Sequence, residues 1–451
     1  MEANEFSLEK MLMARAAQQY RPINGSIELL PLCNMNCRMC YVRLSRQEMD
    51  QMGSLHPLED WMRITEEMQK AGVVFMLLTG GEPLLYPGFR ELYLKLQALG
   101  MILTVNTNGT LIDEEWAAFF GAHRPRRINI TLYGASEKTY RKLCRFEGYE
   151  KTVRAIKLLR AHGVDVKING SVVKENVHDM EAIYALGRSL DVPVHMDTYM
   201  LPGLHDRLRP IEEQSRLLPE DAAWAELQTM KNEYPAEVFE EYRQRKCKEL
   251  QEPLSSPCNI SCMAAHCSFT VNWQGHMKPC VMQPEPAVSV FEHGFEAAWK
   301  QIVDGAKPLC FNEKCGSCAY RPVCKICVSA ALLETGAYDG VPEYLCRQAK
   351  AYADGEGMEN DLNVFFAQIT PNKYLEERIF TSIVSKDELA DAASPELASI
   401  RRKIRRQSVA IREGLQKIIT SPTYAKVLQE PIVTIRSDRF VVPVKAECKG
   451  S

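Results

Sequence analysis

Apolar and polar residues over the first two hundred positions alternate between two periods. Short runs rich in aliphatic and β-branched side chains predict strands at Ser26–Leu30, Val73–Thr79, Ile102–Asn106, Arg127–Leu132, Val166–Val173 and Pro193–Met196. Between them, apolar residues recur at i, i+3 and i+4 over Leu58–Lys70, Phe89–Leu99, Glu114–Gly121, Gly148–His162 and Met180–Leu190. That spacing predicts amphipathic helices. Strand–helix alternation implies parallel strands joined by right-handed crossovers. Six such units predict an α/β domain over residues 22–204, a partial, open (β/α)6 TIM-like barrel. Chemistry in such folds sits on loops at the carboxyl ends of the strands.

The pattern changes three times after that. Leu201-Pro-Gly203 breaks the alternation, and residues 205–257 are charged and helix-forming, which predicts a helical connector. Residues 258–350 are crowded with cysteine and predict a small metal-dependent module. After Asp354-Gly-Glu-Gly357 the cysteines give way to basic, helix-forming sequence, so residues 364–451 are expected to be an α-helical fragment of separate origin.

Charge excludes little. Lys and Arg number 55 against 58 Asp and Glu in 451 residues, so no global basic field draws the molecule to nucleic acid. The apolar run Val73 to Leu78 is far short of the roughly 20 residues a membrane span needs. Met1-Glu-Ala-Asn-Glu5 lacks a basic-then-apolar leader, so a cytoplasmic location is expected.

Sixteen cysteines do change the picture. In a reducing compartment such density points to metal or redox chemistry rather than disulfides. Cys144, Cys247 and Cys448 are isolated and read as small buried hydrophobes. Cys33-x3-Cys37-x2-Cys40 directly follows the first strand. Three thiolates so placed can hold three irons of a cubane and leave the fourth open, although the spacing also suits a zinc knuckle. The second strand ends in Thr79-Gly80-Gly81-Glu82-Pro83. Its glycines let a ligand approach the backbone, and Glu82 can accept hydrogen bonds from an ammonium group.

Together, the three-cysteine motif and the Gly-Gly-Glu turn one βα unit later make residues 22–200 resemble the radical S-adenosylmethionine (radical SAM) superfamily. The resemblance implies that the open iron chelates the amino and carboxylate groups of SAM. Gly80, Gly81 and Glu82 would hold the amino group. Electron transfer into the sulfonium would then yield a 5′-deoxyadenosyl radical. It further implies that Thr131 lies near the SAM carboxylate and that Arg145, reached through a small insertion, offers another contact. Met39 stands where relatives often carry an aromatic residue, so adenine would rest on its thioether or on Tyr41.

The second cysteine set reads Cys262-x4-Cys267-x12-Cys280, Cys315-x2-Cys318-x5-Cys324-x2-Cys327, then Cys346, with a β-hairpin over Phe269–Cys280. Two zinc ribbons would use similar pairs. Joined to the first motif, the module resembles a SPASM domain, the auxiliary-cluster extension of radical SAM enzymes. By that resemblance Cys262, Cys267, Cys280 and Cys327 hold one 4Fe–4S cluster, and Cys315, Cys318, Cys324 and Cys346 hold another. Cys258 and Cys310 are left over, each able to replace a neighbour. Relatives with both parts act mostly on peptides and proteins, using a low-potential donor such as flavodoxin or ferredoxin. Sulfatase maturases place an Asp after the cysteine matching Cys280; Val281 here argues against formylglycine formation. A separate recognition protein is expected to deliver the substrate, because few residues precede the first strand.

The tail carries a second resemblance. Pro371-Asn-Lys-Tyr-Leu-Glu-Glu-Arg-Ile, Ala392-Ala-Ser-Pro-Glu-Leu-Ala-Ser-Ile-Arg-Arg-Lys-Ile and Gln429-Glu-Pro-Ile-Val-Thr-Ile-Arg-Ser-Asp-Arg-Phe-Val-Val-Pro-Val-Lys resemble the core and lever region of bacterial MutS-like anti-recombination proteins. No Gly-x4-Gly-Lys-Ser/Thr phosphate loop occurs in the chain, so ATP hydrolysis does not carry over. The tail is expected to be an inert remnant, and the basic face Arg401–Arg412 a solvated one, with DNA not expected as a partner.

Overall fold

The computed structural model describes residues 8–202, 215–252 and 258–354. The tail and its expected helices lie outside them. Six parallel strands follow the alternation read from the sequence: β1 (Asn24–Glu28), β2 (Phe75–Thr79), β3 (Ile102–Thr107), β4 (Arg127–Thr131), β5 (Val166–Ser171) and β6 (Val194–Asp197). They lie side by side in chain order, as a partial (β/α) barrel requires.

Most strands have one apolar and one polar face; the exceptions are β2, where Phe75 and Leu77 share the face of Thr79, and the start of β3 at Ile102. Ile27, Met76, Leu78, Leu103, Val105, Ile128, Ile130, Val166 and Ile168 are buried beneath the helices in one continuous core. Burying each such side chain contributes about 1.5–3 kcal/mol. The opposite face pairs Glu28 with Thr79, Asn106 with Asn129, Thr131 with Asn169, and Ser171 with Asp197. Because side chains alternate with period two, these polar residues share the inner face of the barrel. The lumen face is therefore polar toward the carboxyl ends of the strands, with Leu77 of β2 an apolar exception.

Helices close the outer face for local reasons. Among them, α1 (Leu8–Gln18) was not expected, and α2 spans Arg46–Met52 behind a Ser45 capping box. In α3 (Leu58–Ala71), Trp61, Ile64, Thr65 and Met68 form the buried stripe, and Gly72 ends the helix in the left-handed region. The next helices are α4 (Phe89–Ala98) and α5 (Glu114–Ala122), the latter capped by the Asp113 side chain on the Trp116 amide. Then come α6 (Glu137–Cys144), capped by Ser136, α7 (Tyr149–Ala161) and α8 (Met180–Ser189).

The sheet is larger than the sequence pattern predicts. β7 (Ser268–Val271), from the cysteine-rich segment, pairs parallel with β1 and makes a seventh parallel strand. Ser26 and Thr270 hydroxyls meet across this pair at 2.8 Å. β8 (His276–Lys278) and β9 (Val288–Ser289) continue antiparallel, so the expected hairpin forms but is part of one nine-stranded sheet. An open barrel leaves β1 as a bare edge, and β7 covers it. The connector residues described form helices Pro219–Glu233 and Ala236–Gln251. Helix Glu343–Asp354 packs along the first of these, with Arg347 Nε 2.9 Å from Glu220 and the Tyr352 hydroxyl 3.2 Å from Met230 Sδ.

Candidate active site

The first cysteine loop is held from three sides. Helix α6 ends with unpaired carbonyls, as every helix does. Those of Cys144 and Leu143 accept the amides of Asn36 at 3.0 Å and Arg38 at 2.9 Å. Leu44 N–H returns to the Pro31 carbonyl at 2.9 Å. From β3, Asn108 Nδ2 donates to Asn34 Oδ1 at 2.8 Å, and Asn34 donates in turn to the Thr110 hydroxyl at 2.8 Å. Asn34 and Asn108 escaped the sequence reading. The position of Asn108, just beyond the third strand, was the available signal.

Cys33, Cys37 and Cys40 converge closely enough for each charge to act on the others. Burial pushes the Cys33 thiol up to about 12, with the Met35 amide opposing and Glu82 and the two cysteines adding. Three desolvated thiols at one point are unfavourable as thiolates until a cation neutralises them. Their sulfurs also face donors: Met35 N–H and Asn108 Nδ2 to Cys33 at 3.4 and 3.6 Å, and Arg43 N–H to Cys40 at 3.3 Å. Such N–H···S contacts tune iron–sulfur centres, so the donor set suits a cubane. Among the described residues, no group of His, Cys, Asp or Glu is arranged to hold a single metal ion; a cubane spreads its thiolates over separate irons.

The Gly-Gly-Glu turn packs against the strand that leads into this loop. Gly80 has φ +152°, and a Cβ on it would stand 2.6 Å from the Leu30 carbonyl oxygen; on Gly81 it would lie 2.3 Å from that of Leu32. Only glycine fits either position. The Gly81 and Glu82 amides donate to those same carbonyls at 2.7 and 2.9 Å. The Glu82 carboxylate is fully buried and accepts from Leu84 N–H at 3.1 Å, Thr107 Oγ1 at 2.8 Å and Asn108 N–H at 2.8 Å. Burial raises its pKa to about 7 against those donors. Glu82 thus ties the turn to the end of β3.

The remaining expected SAM contacts separate. Thr131 ends β4 on the lumen face beside Asn169, whose Oδ1 is buried without a hydrogen-bond partner. An orphaned acceptor in a polar lumen suits a ligand rich in hydroxyl and amino groups. Arg145 caps α6 with φ +51°, next to the carbonyls that hold the cysteine loop. Met39 is 3% exposed and packs in the same buried core as Cys37. Two tyrosines flank Cys40: burial raises the pKa of both Tyr41 and Tyr133, and the Cys40 charge adds to each.

The later cysteines form two groups. Cys262 faces Cys280 and Cys327, and Cys327 faces Cys280. Cys315 faces Cys346, Cys318 and Cys258, while Cys324 faces Cys346 and Cys315. Cys327 caps helix Val328–Thr335, its sulfur accepting from Ala330 N–H at 3.4 Å. Cys267 lies at the edge of the first group. It is fully buried among Leu12, Met13, Ala16 and Phe75, under α1, with Cys262 as its thiol neighbour. Cys258 approaches the second group. A bridge between Asn259 and Cys310 holds it there, with Phe311 N–H on the Cys258 carbonyl at 2.9 Å.

Comparison with known proteins agrees with this geometry. The radical SAM superfamily matches residues 27–187. The AdoMet-dependent heme synthase of Methanosarcina barkeri is 26% identical over 326 residues, covering 69% of this chain and 92% of that protein. Endonuclease MutS2 of Acetivibrio thermocellus is 46% identical over 105 residues; these are 22% of this chain and span only 13% of MutS2. Streptococcus suis SuiB bound to S-adenosylmethionine shares the fold, with a TM-score of 0.55 at 16% identity over 76% of this chain and 84% of SuiB. SuiB has also been solved bound to its precursor peptide SuiA. Strands β2 to β5, the three-cysteine loop and the Gly-Gly-Glu turn lie within the matched segment: residues 27–187 are a radical SAM domain, joined in this chain to a stretch similar to part of MutS2.

Proposed function

We propose that this protein is a radical SAM enzyme of the SPASM type that oxidises or crosslinks a peptide or protein substrate. The observation that carries the reading is the three-thiol loop, hung beside the Gly-Gly-Glu turn at the mouth of a polar lumen. When bound, a 4Fe–4S cluster and SAM supply one-electron cleavage of the sulfonium to a 5′-deoxyadenosyl radical. Everything else falls to the chain. Cys33, Cys37 and Cys40 would hold the cluster, with Asn108 and the Met35 and Arg43 amides on the sulfurs. Gly80 and Gly81 admit the SAM amino group to the backbone, and Thr131, Asn169 and Arg145 lie along the approach to the remainder. The groups around Cys262–Cys280–Cys327 and Cys315–Cys318–Cys324–Cys346 would hold two auxiliary clusters, giving three in all. A flavodoxin or ferredoxin in a reducing cytoplasm would supply electrons.

The peptide assignment is supported by the fold shared with SuiB. A tetrapyrrole substrate is the second reading, favoured by the match along nearly the whole of the heme synthase. Anaerobic reconstitution with iron and sulfide, followed by SAM and dithionite, is expected to give methionine and 5′-deoxyadenosine, and C33S, C37S or C40S to give none. Absence of 5′-deoxyadenosine from the wild-type protein overturns the proposal. About two zinc ions with negligible iron would make it a zinc-stabilised binding protein instead.

A further inference from the structure

We propose that Glu28 is the proton-accepting catalytic group of the lumen, taking the proton that leaves the substrate as its oxidation is completed. The assignment rests on the radical SAM reading above. Glu28 is the last residue of β1, and strand alternation puts it on the lumen face with Ser26, level with Thr79. It is 3% exposed. Burying a carboxylate without partners is costly, and native structures almost always supply donors. Glu82, the other buried carboxylate at the strand ends of the barrel, follows that rule with three donors. Glu28 has no hydrogen bond or ion pair of its own among the described residues. A carboxylate kept that way, at the wall of a polar chamber, is held for a transient partner.

Its surroundings support proton transfer. Lys278 of β8 faces it and stabilises the anion, while burial opposes ionisation, so the carboxyl titrates at about 7. Tyr41, in the cysteine loop, faces Glu28 together with Cys40 and with Asp197 of β6. Lys278 also feels Glu285 and Cys280. Glu28 thus stands between the loop where hydrogen abstraction begins and the cysteine group where an electron would be received. An acceptor balanced near neutrality both takes and releases a proton readily.

The step balances as follows. Hydrogen abstraction leaves a carbon radical next to a heteroatom that bears hydrogen. The X–H bond would break, its proton would go to the Glu28 carboxylate, a C=X bond would form, and the remaining electron would leave to an oxidised iron–sulfur cluster, which the group around Cys262, Cys280 and Cys327 would hold. Electron arrival and protonation of Glu28 favour each other, because the added negative charge raises the affinity of the carboxylate for a proton.

That coupling can be read without the substrate. Full-length protein, reconstituted anaerobically, is titrated potentiometrically across the neutral pH range while the reduced-cluster signals are followed by EPR. In the wild type, the midpoint of an auxiliary signal should fall as pH rises. In E28Q it should be independent of pH, and in E28D the slope should return with a displaced onset. A pH-independent wild type overturns the assignment whether or not E28Q folds. So does an E28Q or E28D profile identical to a sloping wild type. If no cluster signal forms at all, the radical SAM reading falls as well; if signals form without the slope, only Glu28 is dismissed.

Discussion

At the scale of single residues, the site depends on a few polar side chains that hold a loop of thiols. Asn108 is the clearest: one side-chain amide reaches both the Cys33 sulfur and Asn34. N108L should lower the midpoint potential of the SAM-binding cluster and reduce its iron occupancy, as measured by EPR titration and iron analysis, because hydrogen bonds to sulfur stabilise the reduced state. Glu82 bears on pH. Its folded pKa, about 7, lies above the ordinary 4.5, so its contribution to apoprotein stability is complete below 4.5 and is lost as pH rises through 7. Thermal melts of the apoprotein should therefore weaken across that window, by up to about 1.4 kcal/mol per pH unit from this carboxyl. A flat or rising profile contradicts the assignment. The cysteines and paired glycines were legible because their chemistry resides in residue type and spacing. Glu28, Asn34 and Asn108 were not, since each matters only through neighbours from other strands.

At the scale of elements, strand ends and helix ends do the positioning. β1 delivers the cysteine loop, β2 the glycine turn and β3 the Asn108 loop, and the carboxyl end of α6 accepts two amides of the cysteine loop. G81A tests this arrangement. Its methyl group would meet the Leu32 backbone at 2.3 Å, so the turn must shift away from the strand. SAM cleavage should fall by at least tenfold while the far-UV spectrum stays close to wild type. Full activity would mean that the close packing of turn on strand is dispensable. Most of the six strands were readable because an apolar outer face and a polar inner face impose period-two alternation, and β2 because it is a short continuous apolar run. Helix α1 was missed, as its buried face is formed against Val74, Phe75 and Cys267 rather than by a long periodic run.

At the scale of the molecule, the cysteine-rich segment is built into the barrel sheet through β7. Truncation before residue 258 should expose the β1 edge, and the resulting fragment is expected to aggregate, visible by light scattering. Removal of residues 364–451, outside the described region, should leave 5′-deoxyadenosine formation within about twofold of the full chain if that stretch is inert. A large loss would show that the MutS2-like stretch serves the enzyme. By itself, the amino-acid sequence determined the alternating α/β plan and the three-thiol loop with its glycine turn, because each depends on local period or spacing. Only tertiary structure decided that β7 completes the sheet, that Glu82 accepts three donors around the end of β3, that Cys267 lies beneath α1 while Cys258 approaches the second group, and that Glu28 is buried on the lumen face opposite Lys278. Those outcomes depend on which distant segments meet, and local periodicity carries no record of that.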